Sequence, residues 1–113
     1  MSKPLFFMAS LVAAAAPSTV WADTAQPTEG RAVFDRWCGS CHGPKTDSPG
    51  TGALAAKYNG EIPARLDQRT DLTPDVVKYF VRHGVSVMPP FRKTEITDSE
   101  LESLALYLSR DRK

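Results

Sequence analysis

Five consecutive residues, Cys38-Gly39-Ser40-Cys41-His42, carry the most demanding chemistry in this sequence. Two thiols separated by two residues can each add to one of the two vinyl groups of a haem. An imidazole directly after the second thiol can then reach the iron from beneath. The pattern points to covalent c-type haem attachment, with Cys38 and Cys41 as thioether residues and His42 as the proximal axial ligand. Three other chemistries use the same residue types. A disulfide between Cys38 and Cys41 suits an oxidising compartment. A zinc site needs about four ligands, and His83 is the one further soft donor available. A thiol–disulfide exchange motif sits at a strand-to-helix turn, whereas here a helical pattern leads into the motif and no strand pattern follows.

The opposite face of such an iron has few candidate ligands. Beyond the first 22 residues Met88 is the sole methionine, and His83 the sole histidine besides His42. Met88 lies between Val87 and Pro89-Pro90, a stiff, irregular setting that can hold a thioether in place. His83 closes a helical pattern, where a partly positive imidazole complements the helix dipole. Met88 is therefore expected as the distal axial ligand. His/Met ligation raises the haem potential and leaves no open position for oxygen or peroxide, which is suited to single-electron transfer. A small haem sensor or peroxidase would need that position free.

These residues must be positioned by a small chain of 113 residues. Lys3, an apolar run from Leu5 to Ala16, and the exit Val20-Trp21-Ala22 form the order of a secretory signal peptide. The expected division is a leader over 1–22 and one domain over 23–113, placing the mature protein in the periplasm. The apolar run falls short of the roughly 20 residues of a membrane span, so none is expected after cleavage. Removing the leader takes only Lys3 among the charged residues and leaves basic and acidic side chains balanced, which excludes the charge signature of nucleic-acid binding.

The mature pattern is helical throughout. Glu29 to Cys38 carries Val33, Phe34 and Trp37 at helical spacing, with Thr28 as N-cap and Gly30 calling for a close helix crossing. Gly39 to Gly52 reads as loop, Ala53 to Tyr58 as a short helix ending at Asn59-Gly60. Thr73-Pro74 opens a helix whose stripe is Val76, Val77, Phe80 and Val81, stopped at Gly84. Thr97 and Glu100 form a capping box ahead of Leu101, Leu104, Ala105 and Leu108. The expected fold is all-α, three to four helices around one covalently attached haem. Pro44 and Pro49 lie in the loop that could supply a carbonyl to orient His42. Arg65, Arg69, Arg92 and Tyr58 are candidates to meet the haem propionates.

With these residues placed, the chain resembles the class I c-type cytochromes of small bacterial monohaem type. In that family a helix bearing a glycine and an aromatic leads into C-x-x-C-H and packs across a C-terminal helix. Gly30 and Phe34 match those positions, with Leu104 and Tyr107 as the facing residues. Arg65 to Thr73 and Met88-Pro89-Pro90-Phe91-Arg92-Lys93 are similar to small cytochromes that accept electrons from exported dehydrogenases. These include the cytochrome subunits of flavin-dependent 4-cresol and related alkylphenol dehydrogenases. The resemblance implies a redox partner, a periplasmic dehydrogenase such as a flavoprotein, with a downstream oxidase or cytochrome as acceptor. It implies an electron-transfer protein with no catalytic residues of its own.

Overall fold

The structure, a computed structural model, describes residues 26–110; the leader expected over 1–22 lies outside them. Among the described residues there are four helical stretches and no strand. The first is composite: α1 (Pro27–Val33) runs into a π-helical turn (Phe34–Cys38) and then α2 (Gly39–His42). The others are α3 (Pro49–Tyr58), α4 (Pro74–His83) and α5 (Asp98–Ser109), with a 3-10 turn at Leu66–Gln68. The expected all-α class holds. No described helix is long and apolar enough to cross a membrane.

α1 starts two residues earlier than expected, and Thr28 lies within it rather than capping it. The extended residue is Gln26, which gives no side-chain cap. Pro27 at the first helical position presets the backbone dihedral and has no N–H to satisfy, so the helix opens there without a hydroxyl. The Gln26 N–H is taken up by Ser103 Oγ on α5 at 3.2 Å.

α5 is the helix on which both α1 and α4 pack. Gly30 marks the closest approach. A Cβ there would overlap the Ser103 carbonyl and stand 2.7 Å from Tyr107 Cβ. The glycine that costs helix stability locally thus admits the crossing. The facing residues are Ser103 and Tyr107, with the Phe34 and Tyr107 rings 5.9 Å apart. Leu104 is completely buried alongside them. Val33, Phe34, Val77, Val81, Ile96, Leu101, Ala105 and Leu108 complete the core, each large aliphatic contributing roughly 1.5–3 kcal/mol by leaving water.

Local signals in α4 and α5 act as read. Thr73 Oγ1 accepts the Val76 N–H, and Gly84 ends α4 at φ 70°. Thr97 and Glu100 exchange both bonds of the capping box. The stripe of α4 divides, however: Val77 and Val81 are buried, while Val76 and Phe80 stay exposed. The expected loop over 39–52 is helical at both ends, since α2 continues the π turn and α3 begins at Pro49 after Ser48.

Gly30→Ala should force the two helices apart. A loss of about 1–3 kcal/mol is expected from such overpacking, read as a lower midpoint in urea unfolding of the holoprotein. An unchanged midpoint would show that the crossing is not tight.

Candidate functional site

The π turn places the Cys-x-x-Cys-His segment. The Gly39 N–H bonds Phe34 O five residues back, so one extra residue is accommodated per turn just before Cys38. Such turns recur at functional sites because they re-aim side chains without ending a helix. Cys38 is then half-buried at the edge of the core, and Cys41 is exposed. Both thiols are free. Burial raises the Cys38 thiol to about 11, with Cys41 adding to the rise.

His42 turns inward from α2 against the start of α3. A Cβ on Gly50 would stand 2.7 Å from His42 Cε1 and 2.8 Å from the Cys41 carbonyl, so this glycine lets the ring lie on backbone. Thr51, buried beside it, donates to the Gly43 carbonyl at 2.8 Å and ties the end of the motif to α3. Burial pulls His42 below the usual histidine value, which keeps the imidazole neutral and able to bind a metal. Its Nδ1 is buried without a hydrogen-bond partner. Neither Pro44 nor Pro49 supplies the expected carbonyl. Gly50 was not legible as a site residue, because nothing in its own segment says which ring will lie against it.

Met88 sits in a tight turn. Val85 and Met88 exchange two backbone hydrogen bonds, of 3.1 and 2.9 Å. Ser86 takes the positive φ of 54° at the first central position, a place that favours glycine. Gly84 is also at positive φ, and a Cβ there would stand 2.9 Å from the Pro90 nitrogen. The Phe91 N–H returns to Val81 O at 2.8 Å. Met88 is thereby pinned on both sides and packs, half-buried, against the same core that Cys38 borders. Trp37, Leu66, Leu72 and Phe91 pack on that core too, with Trp37 and Phe91 edge to face at 6.0 Å. His83 is exposed at the end of α4, stacked on Tyr79 with Nδ1 2.8 Å from its carbonyl.

The candidate propionate partners separate. Arg65 is engaged by Asp67 through two bonds of 3.0 and 2.7 Å and lines a cleft with His42 and Pro44. Arg92 is exposed and paired with Glu95. Arg69 is the buried one: it is forked onto Asp71 and lies over the Tyr58 ring at 5.1 Å. All three arginines already pair with an acidic side chain, so it is burial and the Tyr58 ring that make Arg69 the better placed to serve a buried carboxylate.

The residues present fit a haem. Among the described residues, the buried side-chain polar atoms that lack a partner are His42 Nδ1 and Trp37 Nε1, and both belong to the residues at or beside the motif. An orphaned buried donor or acceptor costs about 1–3 kcal/mol, so this end of the molecule is incomplete as protein alone. Val76, Phe80 and Val85 leave apolar surface exposed on α4 and the Met88 turn. The alternatives fare worse. Among the described residues no cluster of three or more ligating side chains is found for a metal ion. The described residues also hold no strand of the kind an exchange motif needs, the isolated Val85–Met88 bridge apart.

A family model described as cytochrome c oxidase, cbb3-type, subunit III matches residues 25–108. No curated protein matches the chain.

Arg69 holds the Asp71 carboxyl below its ordinary value of 3.8. Folded Asp71 therefore takes up a proton less readily than unfolded Asp71. Its contribution is complete above that value and is lost as pH falls below it. Asp71 is nearly half exposed, so Asp71→Asn should cost about 1 kcal/mol or less at pH 7. It should also flatten the acid limb of stability below about pH 4. Urea midpoints measured across that range check both; parallel acid limbs in the two proteins would refute the assignment.

Proposed function

Because the chain belongs to the family of the cytochrome c oxidase, cbb3-type, subunit III model, and is thus an electron-transfer protein with covalently held haem c, we propose that it is a His/Met-ligated single-electron carrier exported to the periplasm. The observation that carries this reading is the setting of Met88. The one methionine beyond the leader is fixed in a strained two-bond turn at the edge of the core that Cys38 also borders. A core-filling methionine has no need of such a turn; an axial ligand does.

In this reading Cys38 and Cys41 hold the haem through two thioethers, so that a small exported domain does not lose it. His42, kept neutral by burial, offers a ring nitrogen to the iron, and its contact with Gly50 fixes the plane of the ring. Met88 would supply a thioether as the second protein ligand and leave no position free for external ligands. When bound, the haem supplies a one-electron couple between ferric and ferrous iron whose potential the axial pair sets. Trp37 and Phe91 shield the attachment side with apolar surface, and Arg69 with Tyr58 is assigned to a propionate.

The donor we infer is an exported dehydrogenase. The support is the similarity of Arg65 to Thr73 and of Met88 to Lys93 to cytochromes that serve flavin-dependent 4-cresol and related alkylphenol dehydrogenases. A tightly bound subunit of such an enzyme is the alternative form of the same role. The acceptor is a terminal oxidase or another cytochrome, in keeping with the oxidase named by the family model. Weak redox encounters bury under roughly 1,200 Å², whereas a subunit would bury more and co-purify with its flavoprotein.

The holoprotein, made with a haem-attachment system, should show the Met-to-iron charge-transfer band when oxidised and should not bind carbon monoxide when reduced at neutral pH. Met88→Ala should lose the band, lower the potential and open the reduced iron to carbon monoxide. Carbon monoxide binding by the unaltered protein would overturn the His/Met assignment.

A further inference from the structure

The segment that carries Met88 is tied down by one side chain outside it. Arg82, in the last turn of α4, is largely buried, with 19% of its side chain exposed. Its Nη1 donates to the Phe91 carbonyl at 3.1 Å and to the Ile96 carbonyl at 2.9 Å. Its Nη2 donates to Asp98 Oδ1 at 2.9 Å, at the first residue of α5. The other oxygen of Asp98 accepts from Lys93 at 2.7 Å. One guanidinium thus joins the end of α4, the exit of the Met88 turn, the fully buried Ile96 and the start of α5. A planar fork can make these bonds together, and a lysine cannot.

We propose that Arg82 is the positioning residue of the distal ligand: it holds the 84–97 segment closed so that Met88 is presented to the iron. The inference rests on the His/Met reading. The hydrogen bonds inside the turn shape Met88 locally, but they would travel with the turn if it swung away. The Phe91 N–H bond to Val81 and the Arg82 fork are what attach the exit of the turn to the body. Arg82 reaches Phe91 and Ile96 through carbonyls, so it does not depend on which side chains occupy those positions. The fork adds three bonds to that single backbone bond, so without it the segment would open more often.

The test is competition by free imidazole at the ferric iron of the holoprotein. An external ligand binds in proportion to the fraction of molecules in which Met88 is displaced. Arg82→Gln should tighten apparent imidazole binding by about tenfold or more. Arg82→Lys should recover part of the loss, and Asp98→Asn should shift binding less, in the same direction. Circular dichroism and haem content report whether each variant is folded. If Arg82 were merely structural, its loss would lower the urea midpoint and leave imidazole affinity in the folded protein unchanged, and the proposal would fail. If Arg82→Gln does not accumulate, Arg82→Lys and Asp98→Asn decide: wild-type imidazole affinity in both would refute the role. Met88→Ala is the control. Imidazole affinity unaltered by that change would refute Met88 ligation itself. A large gain with Met88→Ala and none with the Arg82 variants would refute only the positioning role.

Discussion

With no side chain at Gly30, the Ser103 carbonyl and Tyr107 Cβ take the space that a Cβ would occupy, and α1 lies directly on α5. That contact sets the position of everything that follows in the chain. α1 passes without interruption into the π turn and α2, so the placement of its first turns is carried rigidly to Cys38, Cys41 and His42. Because α4 also packs on α5, the Met88 turn that follows it is referred to the same helix. The two candidate ligands come from distant parts of the sequence, and α5 is their common support.

The two sides are held by different means. His42 is fixed by steric fit: backbone at Gly50 lies against the ring, and Thr51 secures the end of the motif. Met88 is fixed by hydrogen bonds and by a backbone conformation that costs energy at Ser86, while Gly84 takes its positive φ freely because it has no Cβ. A residue such as serine in the left-handed region persists where its surroundings over-determine it. Arginine-to-carbonyl and arginine-to-carboxylate bonds around the segment supply that surplus. A thioether is a softer and weaker ligand than an imidazole, and the candidate thioether of Met88 has the more polar scaffolding around it.

Most of the architecture could be read from the sequence because its signals are local. Thr73-Pro74, Gly84 and the Thr97–Glu100 box act within one helical turn, and each behaves as its chemistry dictates. Gly30 was legible for another reason: an unfavourable residue inside a helix implies a tertiary gain. What could not be read depends on partners far away in the chain. The π turn looks like ordinary helix in composition, and Gly39 and Ser40 look like loop. Pro27, not Thr28, sets the start of α1. The Cys and His positions were legible because their chemistry fixes their spacing. Gly50 beside His42 and Arg82 over the Met88 segment belong to no motif, since neither residue type announces its contact. The two arginine–aspartate forks at 65–67 and 69–71 repeat a sequence pattern, but burial and the Tyr58 ring distinguish Arg69 from Arg65.

The π turn at 34–38 has an evolutionary implication. A π turn amounts to one residue inserted in an α-helix, and each residue advances an α-helix by about a quarter turn. A homologue with an unbroken α-helix here would present its first thioether cysteine in the same direction only if its chain were one position shorter between the aromatic of the first helix and that cysteine. The distance in sequence from the Gly30–Phe34 contact to the haem motif is therefore not an invariant of the architecture. Comparisons that hold that spacing rigid would misregister one of the two landmarks, whereas a single-residue gap at this turn superimposes both.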